Sequence, residues 1–192
     1  MGSRPYTQLE NIELNVDQTN IVLEIGSENG EGSSVWLYNW ANLRSIQFYS
    51  IDVVERNRAP SEINWIIHES GSNWCKTFLP TLNKKIKVLY LDNFDWYYEG
   101  WNYGMPRWVQ YQIDSYKQRG VVMNNQNCQE EHKLQLEYCL PYLDDQSVVF
   151  FDDTFYNSKT MCLDGKGATA IPLLLKHGFK MHGTEYATRG CK

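Results

Sequence analysis

A glycine-rich turn between a buried strand and a helix constrains this chain more than any other stretch. Residues 21–34 read IVLEIGSENGEGSS, with Gly26, Gly30 and Gly32 in the turn. The unbroken apolar run before the turn predicts a strand buried on both faces, Asn20–Ile25. Glycines at the start of a helix let backbone N–H groups approach a polar ligand closely. The turn therefore predicts a binding site.

The rest of the pattern alternates strands with helices, which predicts βαβ units and a mainly parallel sheet. Further strands are expected at Ser45–Val54, Asn64–His68, Ile86–Leu91, Ser147–Phe151 and Phe179–Glu185, with a final short strand after them. Helices are expected over Ser33–Leu43, Trp74–Leu82, Arg107–Arg119, Gln129–Tyr142 and Lys166–His177. At 192 residues the chain fits one domain, which we place at residues 20–192 after a polar lead-in at 1–19.

Charge and composition exclude several classes of protein. A net charge of −5 argues against a nucleic-acid surface, which concentrates Lys and Arg. No run of about 18 apolar residues occurs, so no transmembrane helix is expected. The five cysteines are scattered without a C-x-x-C pair, which favours reduced thiols over disulfides or zinc. The N-terminal residues also lack the apolar segment of a secretory signal, so a cytoplasmic location is expected.

Polar side chains follow most of the predicted strands. In parallel sheets ligands bind beyond the carboxyl ends of the strands, so these residues are expected to line one site. They are the turn after Glu24, then Asp52, Glu69, Ser70, Asp92, Asp95, Asp152 and Asp153.

Three ligands compete for the glycine-rich turn. A phosphate-binding P-loop requires G-x-x-x-x-G-K-[ST], and no lysine follows these glycines. A dinucleotide fingerprint requires a small residue where Val35 stands, and Glu28 and Glu31 would repel a pyrophosphate. S-adenosylmethionine is cationic at its sulfonium and ammonium, so acids around the turn favour it.

A family resemblance supports this third interpretation. EIGS at 24–27, with Gly30 and Gly32 behind it, resembles the first motif of class I S-adenosylmethionine-dependent methyltransferases. Further motifs in corresponding order resemble a small single-domain branch that includes predicted O-methyltransferases: LDNFD at 91–95, EEH at 130–132, FFDDT at 150–154, GKGA at 165–168 and HGF at 177–179. The resemblance implies a Rossmann-like fold of three layers, α/β/α, with a mostly parallel seven-stranded sheet.

The resemblance also implies a set of cofactor-binding residues. Asp52 lies about 20 residues beyond the last glycine of the turn, where that family places an acid on the ribose hydroxyls, although the same acid would suit the ribose of NAD. Glu69 or Ser70 would lie near the adenine. The methionine end would be held by Glu24, Gly26, Ser27, Gly30 and Gly32.

A second group of acids is expected on the acceptor side. Asp92, Asp152 and Asp153 would meet at one edge of the pocket, where a divalent cation such as Mg²⁺ could neutralise them. Some sugar and catechol O-methyltransferases bind Mg²⁺ in this way and use it to lower the pKa of a substrate hydroxyl. The sugar enzymes have Asp-x-Asp after the fourth strand, whereas this chain has Asp92-x-x-Asp95.

Catalytic residues and an acceptor surface complete the expectation. Asp92, Asp95 and His132 are candidates for the base that removes a proton from the acceptor hydroxyl. Aromatic side chains could stack on a flat sugar or aryl acceptor. They are Trp96, Tyr97, Tyr98, Trp101 and Tyr103.

The sequence therefore predicts an enzyme that transfers a methyl group from S-adenosylmethionine to a hydroxyl of a small molecule, with or without Mg²⁺. Two other functions stay open. One is a non-catalytic or partner-dependent S-adenosylmethionine-binding domain, and the other is an NAD-linked oxidoreductase, which the acids of the turn and Val35 disfavour.

Overall fold

The computed structural model describes residues 4–27, 30, 32–53, 63–67, 70–93, 96, 107–184 and 186–189. Nine strands are described: β1 Asn20–Ile25, β2 Gln47–Asp52, β3 Asn64–Ile67, β4 Lys85–Leu91, β5 Leu143–Phe151, β6 Thr154–Asn157, β7 Cys162–Gly165, β8 Lys180–His182 and β9 Tyr186–Thr188. The α-helices of this part of the chain are α1 Ser33–Asn42, α2 Gly71–Thr77, α3 Arg107–Lys117, α4 Asn125–Cys139 and α5 Ile171–Lys176. Short 3₁₀ helices cover Pro5–Asn11, Leu79–Leu82 and Leu140–Tyr142.

Seven of the strands form one sheet in the order β3-β2-β1-β4-β5-β9-β8. The neighbours among β1 to β5 pair in parallel, and β9 is antiparallel to both β5 and β8. Strand β1 lies between β2 and β4, so its carboxyl end is at the centre of the edge that the five parallel strands form. The expected mostly parallel seven-stranded sheet is confirmed.

The sheet carries a hydrophobic core on each face. On one face Ile21, Leu23 and Ile25 of β1 pack in a cluster with α2, α4 and α5. On the other face Val22 packs with α1 and with the N-terminal 3₁₀ helix, whose Tyr6 and Leu9 are buried. Alternate residues of one strand therefore face opposite layers, which is the three-layer α/β/α arrangement.

Backbone hydrogen bonds continue the sheet past the carboxyl ends of its central strands. The Gly26 amide donates to the Ile51 carbonyl at 2.8 Å, and the Asp92 amide donates to the Ile25 carbonyl at 2.8 Å. The Asp152 amide donates to the Leu91 carbonyl at 3.0 Å. These bonds hold Asp92 and Asp152 in register beside the glycine-rich turn.

Glycine at position 26 is required by the close approach of two backbones. Its φ is +86°, in the left-handed region that favours glycine. A Cβ there would lie 2.4 Å from the Asn93 nitrogen and from the Asp92 carbonyl carbon. The end of β1 can therefore lie against the chain after β4 only without a side chain.

The region after β5 differs from the expectation. An antiparallel hairpin, β6 and β7, forms in a stretch for which the sequence predicts neither a helix nor a strand. The expected helix from Lys166 begins only at Ile171, so that start was wrong. Pro172 explains it, because proline has no N–H and fits the first turn of a helix but not its interior. Lys166 therefore lies in a turn.

Two other helices begin earlier than expected. Ser70 caps α2 by accepting a hydrogen bond from the Asn73 amide at 3.1 Å. Asn124 caps α4 by accepting one from the Asn127 amide at 2.8 Å. Side-chain caps of this kind set where a helix begins. Among the described residues, no helix is long and apolar enough to cross a membrane.

We expect Gly26→Ala to lower the free energy of unfolding by about 3 kcal/mol or more, because a left-handed residue with a Cβ costs about 1–2 kcal/mol and the backbone clash adds to it. Denaturant unfolding followed by circular dichroism measures the change. Gly120→Ala is the matched control, because Gly120 has a φ of +75° but no atom within 4 Å of an added Cβ. Equal losses in the two variants would contradict the close approach.

Candidate functional site

Glu24 lies at the end of β1 as a fully buried carboxyl. It accepts hydrogen bonds from the hydroxyls of Ser33 at 2.7 Å, Ser34 at 2.6 Å and Ser50 at 2.5 Å. Burial raises the pKa of Glu24 to about 7, although the three hydroxyls lower it. The carboxyl thus joins β1, β2 and the first turn of α1 beneath the glycine-rich turn. Its expected contact with the methionine end of a cofactor stays a prediction.

The turn itself is held by Ser27 and Asp52. The Ser27 amide donates to the Asp52 carboxylate at 3.0 Å, and the Ser27 hydroxyl is 3.3 Å from the same oxygen. The Gly30 amide donates to the Ser27 carbonyl at 2.7 Å, and Gly32, with a φ of +62°, precedes α1. Glu28 and Glu31, which entered the choice of ligand, are outside the described residues.

A cleft opens beyond the carboxyl ends of β1, β2 and β4. Gly26, Asp52 and Ser70, all expected at a cofactor, line it together with Asn93 and Gln135. Both polar atoms of the Asn93 amide and the Oε1 atom of Gln135 are buried and have no hydrogen-bond partner among the described residues. Buried polar groups are nearly always paired, so unpaired ones facing a cleft indicate a missing ligand. An adenosine group, with ring nitrogens, an amino group and a ribose diol, fits these donors and acceptors.

Glu131 organises the far wall of this cleft. It accepts hydrogen bonds from the Ser72 amide at 2.9 Å and hydroxyl at 3.0 Å. It also accepts one from Nε2 of Gln135 at 3.1 Å, which leaves Oε1 of that amide free to accept. Glu69, the other residue expected near an adenine, is outside the described residues.

The acids after β4 and β5 meet around a buried lysine. The Lys166 ammonium lies 2.7 Å from the Asp92 carboxylate and 3.2 Å from that of Asp153. Burial raises the pKa of Asp92 and of Asp152. Burial alone lowers the pKa of Lys166, but the three carboxylates outweigh it and hold that pKa well above its usual value.

His132, a candidate base, is fully buried on α4. Its Nδ1 lies 2.9 Å from the Cys128 carbonyl, which can only accept, so this nitrogen carries the proton. Burial, together with the nearby Lys166 charge, lowers the pKa of His132 to about 3. The ring is therefore neutral, and it lines neither of the two cavities described in this subsection. Asp95, the remaining candidate base, is outside the described residues.

A second cavity, of about 570 Å³, lies between the start of α4 and the β6–β7 hairpin. Trp96, Phe155 and Tyr156 line it with aromatic surface. Amide side chains line it as well, from Asn125, Gln126, Gln129 and Asn157. Gln129 connects this cavity to the lysine cluster, since its Nε2 donates to the Gly165 carbonyl at 3.0 Å. The other aromatic residues expected at an acceptor, Tyr97, Tyr98, Trp101 and Tyr103, are outside the described residues.

Asn93, Gln135 and Lys166 were not among the predicted site residues. Asn93 stands inside the LDNFD motif and Gln135 in none of the motifs, and only the fold brings the two amides together at the cleft. The sequence around Lys166 did contain a signal. The lysine stands between two glycines, and glycine is unfavourable inside a helix, so this stretch favours a turn. Lys166 is predicted as the first residue of a helix, whereas it lies in a turn.

Comparison with known proteins identifies the fold. No family model and no curated protein matches the sequence. Solved structures do match. One is the MycE methyltransferase of mycinamycin biosynthesis in complex with Mg, SAH and mycinamycin VI, at 11% identity and a TM-score of 0.56. Another is CalS11, a TDP-rhamnose 3′-O-methyltransferase of calicheamicin biosynthesis, at 15% identity and a TM-score of 0.51.

The matches extend over nearly the whole chain. They cover 97% of it for MycE and 96% for CalS11, while the chain spans only 48% and 75% of those two proteins. This chain is thus about half the length of MycE. At such low identity the likeness concerns the fold alone, a three-layer α/β/α arrangement with a mostly parallel central sheet.

Glu24→Gln tests the buried carboxyl. The folded chain binds a proton at Glu24 up to pH about 7, whereas the unfolded chain releases it near the ordinary value of 4.5. Stability from this group is therefore lost as pH rises through that interval, by about 2–3 kcal/mol in total. Denaturant unfolding between about pH 5 and about pH 8 should show this loss relative to Glu24→Gln.

Exposed Glu10→Gln is the control for the pH series, and it should leave the profile unchanged because its side chain is in solvent. All other titrating groups are shared, so the difference between the unaltered chain and each variant isolates one carboxyl. A difference between the unaltered chain and Glu24→Gln that stays constant with pH would contradict the raised pKa.

Proposed function

We propose that this chain is an S-adenosylmethionine-dependent methyltransferase that methylates a hydroxyl of a small molecule. The observation that carries the proposal is the cleft that Asp52 lines together with Asn93 and Gln135, whose amide oxygens have no partner among the described residues. It lies beyond the carboxyl ends of parallel strands, where open α/β sheets bind their ligands. The methyltransferase fold and the acids near the turn support the same conclusion.

Each side of the cleft has a proposed task. Asp52 would accept hydrogen bonds from the ribose hydroxyls, and the Ser27 amide and hydroxyl hold its carboxylate in place for this. Asn93 and Gln135 would pair with polar atoms of the adenosine. Gly26, which lines the cleft, would lie beside the methionine end. When bound, the cofactor supplies an activated methyl group, so the chain's main contribution is alignment.

The second cavity is the proposed acceptor site. Amide side chains both donate and accept hydrogen bonds, which matches hydroxyl groups, and aromatic side chains stack on the apolar face of a sugar ring. The cavity combines Gln129 and Asn157 with Trp96 and Phe155. A sugar or a sugar-bearing small molecule is the acceptor that this lining favours, and CalS11 acts on such a compound.

Asp92 is the proposed proton acceptor for the reacting hydroxyl. Its side chain is 23% exposed, whereas His132 is fully buried, so Asp92 is the more accessible of these two candidates. A general base must lie within hydrogen-bond distance of the proton that it removes.

Asp52→Asn should weaken binding of S-adenosylhomocysteine about tenfold or more, because hydrogen bonds to a charged partner are worth about 1.5–3 kcal/mol. Isothermal titration calorimetry measures the dissociation constant. Asp145→Asn is the matched control, since this aspartate is 80% exposed at the other end of β5 and should bind as the unaltered chain does. An unchanged constant in Asp52→Asn would remove Asp52 from the site.

The same calorimetry separates the competing functions. Tight binding of NAD without binding of S-adenosylhomocysteine would overturn the proposal in favour of an oxidoreductase. If the chain binds S-adenosylhomocysteine, methyl transfer from labelled S-adenosylmethionine should be assayed with TDP-rhamnose and related sugar nucleotides as acceptors. Binding of the cofactor without transfer to any acceptor would indicate a binding domain that needs a partner.

Asn93→Leu should separate stability from binding. In the ligand-free chain the buried unpaired amide costs about 1–3 kcal/mol, so a leucine of similar size should raise the free energy of unfolding. Affinity for S-adenosylhomocysteine should fall in the same variant, because the hydrogen bonds made to the ligand are lost. Denaturant unfolding and calorimetry measure the two effects. A variant that is less stable but binds normally would show that the amide has a purely structural role.

A further inference from the structure

Lys166 is the cation at the centre of the carboxylate cluster. Its side chain is 2% exposed, and its ammonium lies within 3.2 Å of carboxylate oxygens on Asp92 and on Asp153. Those acids follow β4 and β5, and the lysine reaches them from the turn after β7. Three separate segments of the chain therefore converge on one buried ammonium.

The backbone around Lys166 is shaped to bring it there. Gly165 has a φ of +90°, and a Cβ at this position would lie 2.0 Å from the Asp153 carbonyl oxygen. A Cβ at Gly167 would lie 2.8 Å from the ring of Phe151. Both neighbours of the lysine therefore pack against the end of β5 too closely for a side chain. The Lys166 amide also donates to the Asp153 carbonyl at 3.1 Å.

Asp153 adopts an unusual backbone conformation on the other side of this contact. Its φ is +44°, a left-handed value that costs a non-glycine residue free energy. The hydrogen bond from Lys166 and the one from the Gly167 amide to the Thr154 hydroxyl, at 2.9 Å, hold the two segments together. The left-handed conformation of Asp153 and the two glycines beside Lys166 together place the ammonium in contact with the carboxylates.

We infer that the Lys166 ammonium takes the place that a divalent cation would fill at these acids, so that this edge of the site uses a cation built into the chain. The inference about cation binding rests on the cluster alone. Its meaning for methyl transfer rests on the function proposed above. There Lys166 is a positioning residue, because it acts by holding Asp92 and Asp153 in place.

The donor set does not fit Mg²⁺. The ion needs near-octahedral oxygen ligands at about 2.0–2.1 Å, and Lys166 already occupies oxygens of two of the three acids. A metal sharing those oxygens would face the ammonium across a few ångströms of buried, low-dielectric space. Among the described residues, no group of three or more candidate ligands is arranged to hold a metal.

The expected magnesium site therefore has another explanation. Three adjacent carboxylates are expected to require a neutralising cation. In this cluster the Lys166 ammonium is that cation. A lysine cannot be removed by a chelator, and unlike Mg²⁺ it offers no open coordination position to a substrate diol. An acceptor would then be oriented by the lining of the second cavity instead of by a metal.

Mn²⁺ is the probe that tests this inference, because its binding is read directly from the loss of the electron paramagnetic resonance signal of the free ion. The unaltered chain should bind no Mn²⁺ at the cluster. Lys166→Met removes the ammonium but keeps a buried unbranched side chain, and this variant should gain Mn²⁺ binding. Its melting temperature should be lower than that of the unaltered chain and should rise when Mn²⁺ is added.

Lys87→Met is the matched control. Lys87 is also a buried lysine, 4% exposed, and it pairs with Asp144 at 3.0 Å at the opposite end of the sheet. Its loss should destabilise the chain without any response to Mn²⁺. This control separates a site that the ammonium had filled from a general effect of losing a buried ion pair.

Two results would overturn the inference. One is Mn²⁺ binding by the unaltered chain that is lost in Asp152→Asn, and the other is a folded Lys166→Met that binds no Mn²⁺. If Lys166→Met does not fold, Lys166→Gln replaces it, and the measurement on the unaltered chain decides in either case. No cofactor or acceptor is present in these titrations, so their failure would leave the proposed methyl transfer standing. Failure to bind S-adenosylhomocysteine would likewise leave the cation inference standing.

Discussion

The close approach of the end of β1 to the chain after β4 is the constraint on which the rest of the site depends. Because Gly26 has no side chain, the two backbones can lie against each other. Three backbone hydrogen bonds then extend the pairing of β2, β1, β4 and β5 by one residue past their carboxyl ends. That extra step brings the polar residues after four different strands to one edge. A cleft and a carboxylate cluster then arise beside each other, although their members are far apart in the chain. The geometry of both begins with a missing Cβ.

The chain keeps several carboxyls out of water at this edge and stabilises each in a different way. Glu24 receives three serine hydroxyls and has a pKa of about 7, so it needs no cation near neutral pH. Asp52 accepts from a backbone amide and a hydroxyl. The cluster after β4 and β5 uses a full positive charge, that of Lys166. An unpaired charge there would be costly, since removing one partner of a buried ion pair leaves the other without compensation.

The sequence was a good guide where one strand carries the information and a poor one where distant segments meet. The run before Gly26 specified β1 to the residue, since a continuous apolar stretch between a polar segment and a glycine has few alternatives. Asp52 and Asp92 followed from strand ends alone. Lys166 did not, because its role depends on two glycine contacts with β5 that no local pattern displays. The β6–β7 hairpin was missed for a similar reason, since its short, half-exposed strands have no clear alternation.

This division also separates the two halves of the candidate site. The cofactor side is built from the ends of the central parallel strands, whose order and register follow from buried apolar runs. The acceptor side is built from the start of α4, Trp96 and a hairpin inserted after β5, elements that the sheet supports but does not specify. Lys166 lies at the junction, because it follows the hairpin in the chain and pairs with the acids of the sheet edge. A substitution in the β6–β7 hairpin is therefore expected to displace the Asp92 and Asp153 carboxylates through Lys166. The cleft that Asp52 lines is held by other contacts, such as those of Asp52 with Ser27, and should not change.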